Sequence, residues 1–425
     1  MIGTLNSSIK EATVVGAGVA GMLAAHSLDR SGYRVTLLEE KERAGGLIQT
    51  RNTARGIAES AAHSLIVTEP VSELCRELGV ELVCPRKEAK AKYVVRDGKL
   101  RRFPLTVGET FDTFARAAFA RCASQQPQNL DVWARRHLGN GALEYLVTPF
   151  VRGIHGVQPA ELGVSTAFPS LDLPAGKTLL GAMLTRRRNG ASKDKKTRAA
   201  PRFGMGDLVA RLEQLLEKRL GSRFRKGQKV DQLPDAANVI IATPAYAAAR
   251  LIRSASPTLA DKLAEVRYTP IVSVTVFVDR NAFTRPLEGV GVLMPACEQT
   301  KSLGILFNSS SFVHRVKDES RFASFTVMMG GTAQPHWLEA SDEEIQQTIK
   351  LELWTLLGIR EPVEVAIHRW PAALPQYSVD LREVWAYARQ TWCTKPGHIL
   401  FGNYTGQISL RGMIESAARL GGLNA

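Results

Sequence analysis

Glu11-Ala-Thr-Val-Val15-Gly16-Ala-Gly18-Val-Ala-Gly21 is the stretch that decides the fold. Its first five residues form a short run rich in β-branched side chains, which reads as a strand. The glycines then open a small-residue segment that reads as a helix through Arg30. Ser31-Gly32 stops that helix, and Arg34-Val-Thr-Leu-Leu-Glu39 is a second strand. Gly16 permits the tight turn, Gly18 lets backbone N–H groups approach a diphosphate, and Gly21 lets the helix pack closely on the strand. Glu39 ends the second strand, 23 positions after Gly16, where a carboxylate can accept hydrogen bonds from a ribose diol. Glycine turns before helices are common. Strand, turn, helix, strand and terminal acid in this order predict a dinucleotide-binding βαβ unit.

Further along stand Lys41-Glu-Arg43-Ala-Gly45-Gly46, Thr50 and Gly56-Ile-Ala-Glu59. With the first unit they resemble the flavin-dependent amine oxidase superfamily, and the resemblance implies FAD as cofactor. Phe203-Gly-Met-Gly206-Asp-Leu208, opening a helix over Val209–Leu220, is similar to that family's second glycine turn. Val239-Ile-Ile-Ala-Thr243-Pro244 is similar to its returning strand, and His398-Ile-Leu-Phe-Gly402-Asn403-Tyr404, with Gly406 and a helix from Leu410, to its closing strand and helix. The cofactor contacts implied in the first unit are Gly16, Gly18, Val19, Ala20, Gly21, Glu39, Glu40, Arg43, Gly45 and Gly46. Later in the chain they are His63, Ser64, Val230, Thr243, Gly402, Asn403 and Ile408.

The expected fold is α/β. A discontinuous FAD-binding, Rossmann-like domain takes residues 1–88, 203–260 and 386–425. A helical substrate- or membrane-facing subdomain takes 89–202, and a strand-rich, mixed-sheet substrate domain takes 261–385, with strands at Tyr268–Val278 and Phe322–Met329.

Between the flavin segments lie Val132-Trp-Ala-Arg-Arg-His-Leu-Gly139, Val147-Thr-Pro-Phe-Val-Arg-Gly153-Ile-His155-Gly156, Pro159-Ala-Glu-Leu162 and Phe168-Pro169. Together with Gly291–Pro295, Leu303–Ser309, Arg369-Trp370-Pro371 and Leu374-Pro-Gln-Tyr377, they resemble the protoporphyrinogen oxidase family. That resemblance covers nearly the whole chain. It implies oxidation of a porphyrinogen by hydride transfer to flavin N5 in three two-electron rounds, with molecular oxygen as acceptor, in heme biosynthesis. Protoporphyrinogen IX is the expected substrate, with coproporphyrinogen III as the alternative. The flavin carries the chemistry, so no catalytic side chain is expected. The chain departs from the family at Leu47, Val157-Gln158 and Ser378–Leu381, and in a shortened segment between Val230 and Val239.

By the same resemblance Lys92, with Arg96 near it, stands where a basic residue pairs with a substrate propionate. A solvated surface lysine is the competing reading. Gly153 falls in a turn beside the macrocycle, where only a small residue leaves room. His155 is expected to be structural or pocket lining, and Trp370 and Tyr377 to be core or cleft wall.

The remaining features bound partners and location. Of 425 residues, 44% are hydrophobic and 23% charged, which is globular composition and excludes disorder. Five cysteines without a CxxC pair or a Cys/His cluster suggest neither a disulfide framework nor a metal site. Met1–Glu11 lacks the order of a signal peptide, and no apolar run reaches the roughly 20 residues of a membrane span. A cytoplasmic protein, peripheral on the inner face of the membrane, is expected. The net charge of +14 favours anionic partners, but no nucleic-acid-binding signature accompanies it. Arg186–Arg202 concentrates eight basic residues against Asp194 and reads as a surface loop, either simply solvated or docked on anionic lipid. Phe111, Phe114 and Ala118 share one helix face, for which core packing is the expectation. Within the superfamily an amine oxidase or desaturase is the rival function; outside it, a flavoprotein scaffold without catalysis. Oligomeric state is left open.

Overall fold

A computed structural model describes residues 2–122, 128–188, 197–284, 287–420 and 422. The βαβ unit forms as its sequence suggests: strands Glu11–Val15 and Arg34–Leu38 flank the helix Val19–Arg30. That helix buries Val19 through Leu28, because alanines and glycine keep its sheet-facing side thin.

Five parallel strands make the nucleotide sheet, in the order Phe224–Arg225, Arg34–Leu38, Glu11–Val15, Val239–Ile241, His398–Leu400. The chain leaves the central strand Glu11–Val15 in both directions. A crevice therefore opens at its carboxyl end, the usual ligand position in such sheets. Helices Met205–Leu220 and Leu410–Leu420 share the apolar core with Val19–Arg30.

The second sheet has seven strands, in the order Pro362–Pro375, Tyr268–Asp279, Phe322–Gly330, Ser302–Phe307, Gly291–Leu293, Lys92–Arg96, Lys99–Arg101. All pairs are antiparallel except Gly291–Leu293 with Lys92–Arg96. Alternation along Tyr268–Asp279 divides its faces. Val272, Val274, Val276 and Val278 join Phe325, Val327, Ile305 and Phe307 in a core covered by the helix Asp342–Glu352. Ser273 and Thr275 point the other way, with their partners Met328, Thr326 and His368. This polar inner face turns toward the nucleotide module: Trp370 Nε1–H donates to Ser60 O at 2.8 Å, and Phe277 packs against Gly56 and Val316.

A three-stranded antiparallel sheet, Leu65–Val67, Thr197–Pro201 and Leu82–Val83, joins the two modules. The segment 107–188 is largely helical and includes Val107–Phe119, Leu130–His137 and Thr148–His155.

The helix Val107–Phe119 overturns one expectation. It has no buried residue; Phe111 is 76% and Phe114 64% exposed, and Ala118 is half-buried. Its amphipathic face is real but faces outward. A capping box of Thr106 and Glu109, with Arg96 on Glu109, holds the helix by its polar end instead. Of the basic stretch, Arg186 donates to Ser170 O and Arg202 pairs with Glu81; residues 189–196 lie outside the described residues.

Candidate functional site

The nucleotide crevice is built from glycines whose missing side chains have specific consequences. Gly16 has φ +95°, which favours glycine. A Cβ on Gly21 would lie 1.8 Å from Gly16 O, whereas one on Gly18 would meet nothing within 4 Å. Gly21 thus serves packing, and Gly18 faces open space at the N-terminus of the helix Val19–Arg30, where orphan N–H groups favour an anion. Gly45 bridges to Gly18, and a Cβ on Gly46 would stand 3.4 Å from Gly18 Cα, so the second glycine pair closes over the first turn. Arg43 donates to Ala44 O and Gly46 O, holding that pair in place.

Glu39 Oε2 accepts from Ala17 N–H at 2.7 Å and Oε1 from Lys41 N–H at 3.0 Å, which fixes the carboxylate at the crevice. The Glu39 backbone is bonded on both sides to Arg225 and Gln228, which brings the segment leading to Val230 alongside Glu39 and Glu40. Thr243 and Gly402 end the neighbouring strands on the far side of Gly16; Thr243 Cγ2 would stand 3.0 Å from a Cβ on Gly16. Asn403 accepts the Tyr377 hydroxyl on its carbonyl, while Tyr404 is fully buried and Ile408 half-buried.

The residues present fit a flavin dinucleotide. Open space at Gly18, a positioned acid at Glu39 and the helix N-terminus suit the diphosphate and ribose. The hydroxyl of Thr243, Nε2 of His63 and the hydroxyls of Thr275 and Tyr404 are buried without a hydrogen-bond partner among the described residues. Buried polar groups are ordinarily satisfied, so the orphan at Thr243, beside Gly16, and the one at Thr275, on the face turned toward the nucleotide module, suit a polar ligand.

Next to the crevice, Glu59 is 3% exposed and held by three groups. Thr50 Oγ1–H donates to Oε2 at 2.6 Å, Met205 N–H to Oε1 at 2.8 Å, and the Arg315 guanidinium lies 3.7 Å away. Gly206 N–H donates to Thr50 Oγ1 at 2.7 Å, so this pair caps the helix Met205–Leu220. Burial pushes the Glu59 carboxyl up to about 7 against these hydrogen bonds. Burial also pushes His63 and His155 down to about 4, so both imidazoles are neutral near pH 7.

The inner face of the large sheet brings two substrate candidates together. Register places Lys92, Gly291, Leu306 and Thr326 in one row, with Val94, Leu293, Gly304 and Met328 beside it. Gly153 lies not in a turn that leaves room for a ligand, as expected, but inside the helix Thr148–His155, where a Cβ would stand 2.4 Å from Leu293 Cδ2; its missing side chain lets the helix pack on this row. Lys92 is exposed at its edge. Arg96 is not brought to the site. Its guanidinium makes paired hydrogen bonds to Glu109 at 2.6 and 3.1 Å and lies 4.0 Å above the Tyr145 ring, because the helix Val107–Phe119 begins there. His155 is buried edge-on against Phe168, and Trp370 and Tyr377 are cleft wall and core, as expected. Sequence reading missed Arg315, and it took Arg198 for part of a basic surface loop, whereas Arg198 stands half-buried on the strand Thr197–Pro201. Neither belongs to a glycine motif, and an arginine gives no sign of burial in a single sequence.

Among the described residues, no group of His, Cys, Asp and Glu could hold a metal ion, and no helix is long and apolar enough to cross a membrane.

The family model for flavin containing amine oxidoreductase matches residues 19–425. Protoporphyrinogen oxidase 2, chloroplastic/mitochondrial, of Arabidopsis thaliana is 26% identical over 96% of this chain and 92% of its own length. Coproporphyrinogen III oxidase of Bacillus subtilis (strain 168) is 22% identical over 89% of this chain and 91% of its own. A solved structure from Exiguobacterium sp. 255-15 superposes with a TM-score of 0.79 over 98% of both chains at 20% identity, which shows a shared fold.

Proposed function

The chain belongs to the flavin-containing amine oxidoreductases and is an FAD-dependent oxidoreductase, and on that premise we propose that it oxidises a porphyrinogen, with protoporphyrinogen IX preferred to coproporphyrinogen III and molecular oxygen as final acceptor. The observation that carries this reading is the inner face of the large sheet. There Leu293 and Leu306 form an apolar strip with a basic edge at Lys92, beside the helix that carries Gly153, on an otherwise hydroxyl-lined face that meets the nucleotide module through the Trp370–Ser60 hydrogen bond.

FAD, when bound, supplies the two-electron hydride acceptor. The chain's own residues bind, orient and exclude water. Gly18, Glu39 and the Gly45-Gly46 pair hold the dinucleotide end. Leu306, beside Lys92, supports a flat apolar macrocycle, while the absence of a side chain at Gly153 lets the helix Thr148–His155 pack on Leu293. Lys92 pairs with a propionate through a charge-assisted contact, which fixes which bridge carbon is presented. Positioning of this kind is where the rate enhancement comes from.

We also place the protein on the inner face of an anionic membrane. Phe103, Val107, Phe111, Phe114 and Phe119 are 62–89% exposed along one helix and its approach, and Met183 and Leu184 of a contacting helix are 59% and 53% exposed. A contiguous apolar surface of this kind marks an interaction site. Attachment there suits an apolar product, which is the reason for preferring the less carboxylated porphyrinogen.

The test is oxygen uptake together with porphyrin fluorescence. Holoenzyme is expected to form protoporphyrin faster than autoxidation, consuming three oxygen molecules per macrocycle. Flavin-loaded protein that yields no porphyrin from either porphyrinogen contradicts the reading.

A further inference from the structure

We propose that a small cavity between the strand Ile57–Glu59, the strand Thr197–Pro201 and the segment 308–315 is a second carboxylate subsite, which takes a propionate arm of the macrocycle while Lys92 takes another. This rests on the porphyrinogen reading above and deepens it. The cavity measures about 50 Å³ and is lined by Val290, Leu306 and Phe312, by the guanidinium-bearing Arg198 and Arg315, and by Glu59 and Asn308.

Its charge is unbalanced. Arg315 is 4% exposed and rigidly aimed: Nη2–H donates to Pro201 O and Arg202 O, and Nε–H to Val313 O. Nη1 has no hydrogen-bond partner among the described residues, and Glu59 Oε1, at 3.7 Å, is beyond hydrogen-bond range. Glu59 has already accepted from Thr50 and Met205. Arg198 reaches the cavity because it pairs in register with Ile66, two residues after Ser64. It is half-buried, lies 5.0 Å over the Phe312 ring and has no carboxylate partner among the described residues. Two guanidiniums thus line a cavity whose wall carries one carboxylate, Glu59. A buried cation without a full partner is costly, and an incoming carboxylate relieves that cost.

The walls define the rest of the ligand. Apolar side chains together with two guanidiniums fit a short hydrocarbon arm terminated by a carboxylate, and fit a bare inorganic anion poorly. Leu306 connects the two basic points: it lines this cavity and shares a row with Gly291 and Lys92. One flat macrocycle lying on that row presents carboxylate arms to both. Two anchoring points would also select by the number and placement of the acidic arms.

The test measures binding of protoporphyrin IX and of its dimethyl ester to FAD-loaded protein, read from the perturbation of the flavin absorption band. Wild type is expected to bind the diacid about 100-fold more tightly than the diester, about tenfold for each of the two anchoring points. Arg198→Gln and Arg315→Gln are each expected to narrow that ratio by about tenfold while leaving ester binding unchanged. Combining Arg198→Gln with Lys92→Gln should abolish the preference. Arg198 stands half-exposed on a short strand, so its variant remains informative if the Arg315 variant fails to fold. An Arg198→Gln protein with the wild-type ratio overturns the subsite, as does equal binding of acid and ester by wild type; both leave the porphyrin reading in place. If holoenzyme binds neither porphyrin, the porphyrin reading falls and the subsite falls with it.

Discussion

Replacing Gly18 or Gly21 by alanine separates cofactor binding from folding within one turn. A methyl group at Gly18 meets nothing within 4 Å, and φ there is −62°, so Gly18→Ala folds normally. The changed helix N-cap costs about 1 kcal/mol at most. The methyl then occupies the space through which phosphate oxygens approach the backbone N–H groups. Loss of one charge-assisted hydrogen bond, about 1.5–3 kcal/mol, weakens FAD binding roughly 10- to 150-fold. Gly21→Ala behaves in the opposite way. Its methyl would lie 1.8 Å from Gly16 O, a backbone atom that cannot swing aside, and overpacking of this kind costs about 1–3 kcal/mol or more. The assays are thermal melting of apoprotein, FAD titration by flavin fluorescence quenching, and flavin content after gel filtration. The expected pattern is a normal melt with weak FAD binding for Gly18→Ala, and a lowered melt for Gly21→Ala. Wild-type FAD affinity in Gly18→Ala refutes the assignment of this turn to the diphosphate.

Three other perturbations have defined outcomes. Burial raises the Glu59 carboxyl from its ordinary 4.5 to about 7, so the folded protein holds that proton more tightly than the unfolded chain. Its contribution to stability is fully present below pH 4.5 and is lost as pH rises toward 7. Glu59→Gln should flatten this limb of the stability profile, by about 3 kcal/mol at most, as measured by urea unfolding across pH 4–8; an unchanged profile contradicts it. Lys92→Ala should raise KM by the equivalent of about 1–3 kcal/mol with little change in kcat, and an unchanged KM returns Lys92 to the solvated surface. Phe111→Glu with Phe114→Glu should leave the melting temperature unaltered, because both rings are exposed. The same pair should weaken sedimentation with anionic vesicles at least about 100-fold, whereas deletion of residues 189–196 should weaken it only at low salt.

How far the fold can be read from the chain depends on the range of the forces involved. The βαβ unit is legible to within a residue because turn, packing and phosphate approach each demand glycine at a set spacing. The strands Tyr268–Asp279 and Phe322–Gly330 are legible from β-branched residues, yet the division of their faces into a valine core and a hydroxyl-lined floor depends on pairing between distant strands. The helix Val107–Phe119 shows the limit most clearly. Its apolar stripe has the period of a core helix, and nothing within the helix says whether protein or another apolar surface covers it. Arg96 and Lys92 look equivalent in sequence, but Glu109 and Tyr145 engage one of them and leave the other at the floor's edge. Arg198 and Arg315 meet only because a strand from residues 197–201 inserts between two others.

The most direct test of the central claim is anaerobic mixing of FAD-loaded protein with protoporphyrinogen IX and, separately, with coproporphyrinogen III, following the oxidised-flavin absorption band. Rapid bleaching is expected, faster with protoporphyrinogen IX, with recovery of the band when oxygen is admitted. A band that persists with both porphyrinogens contradicts it.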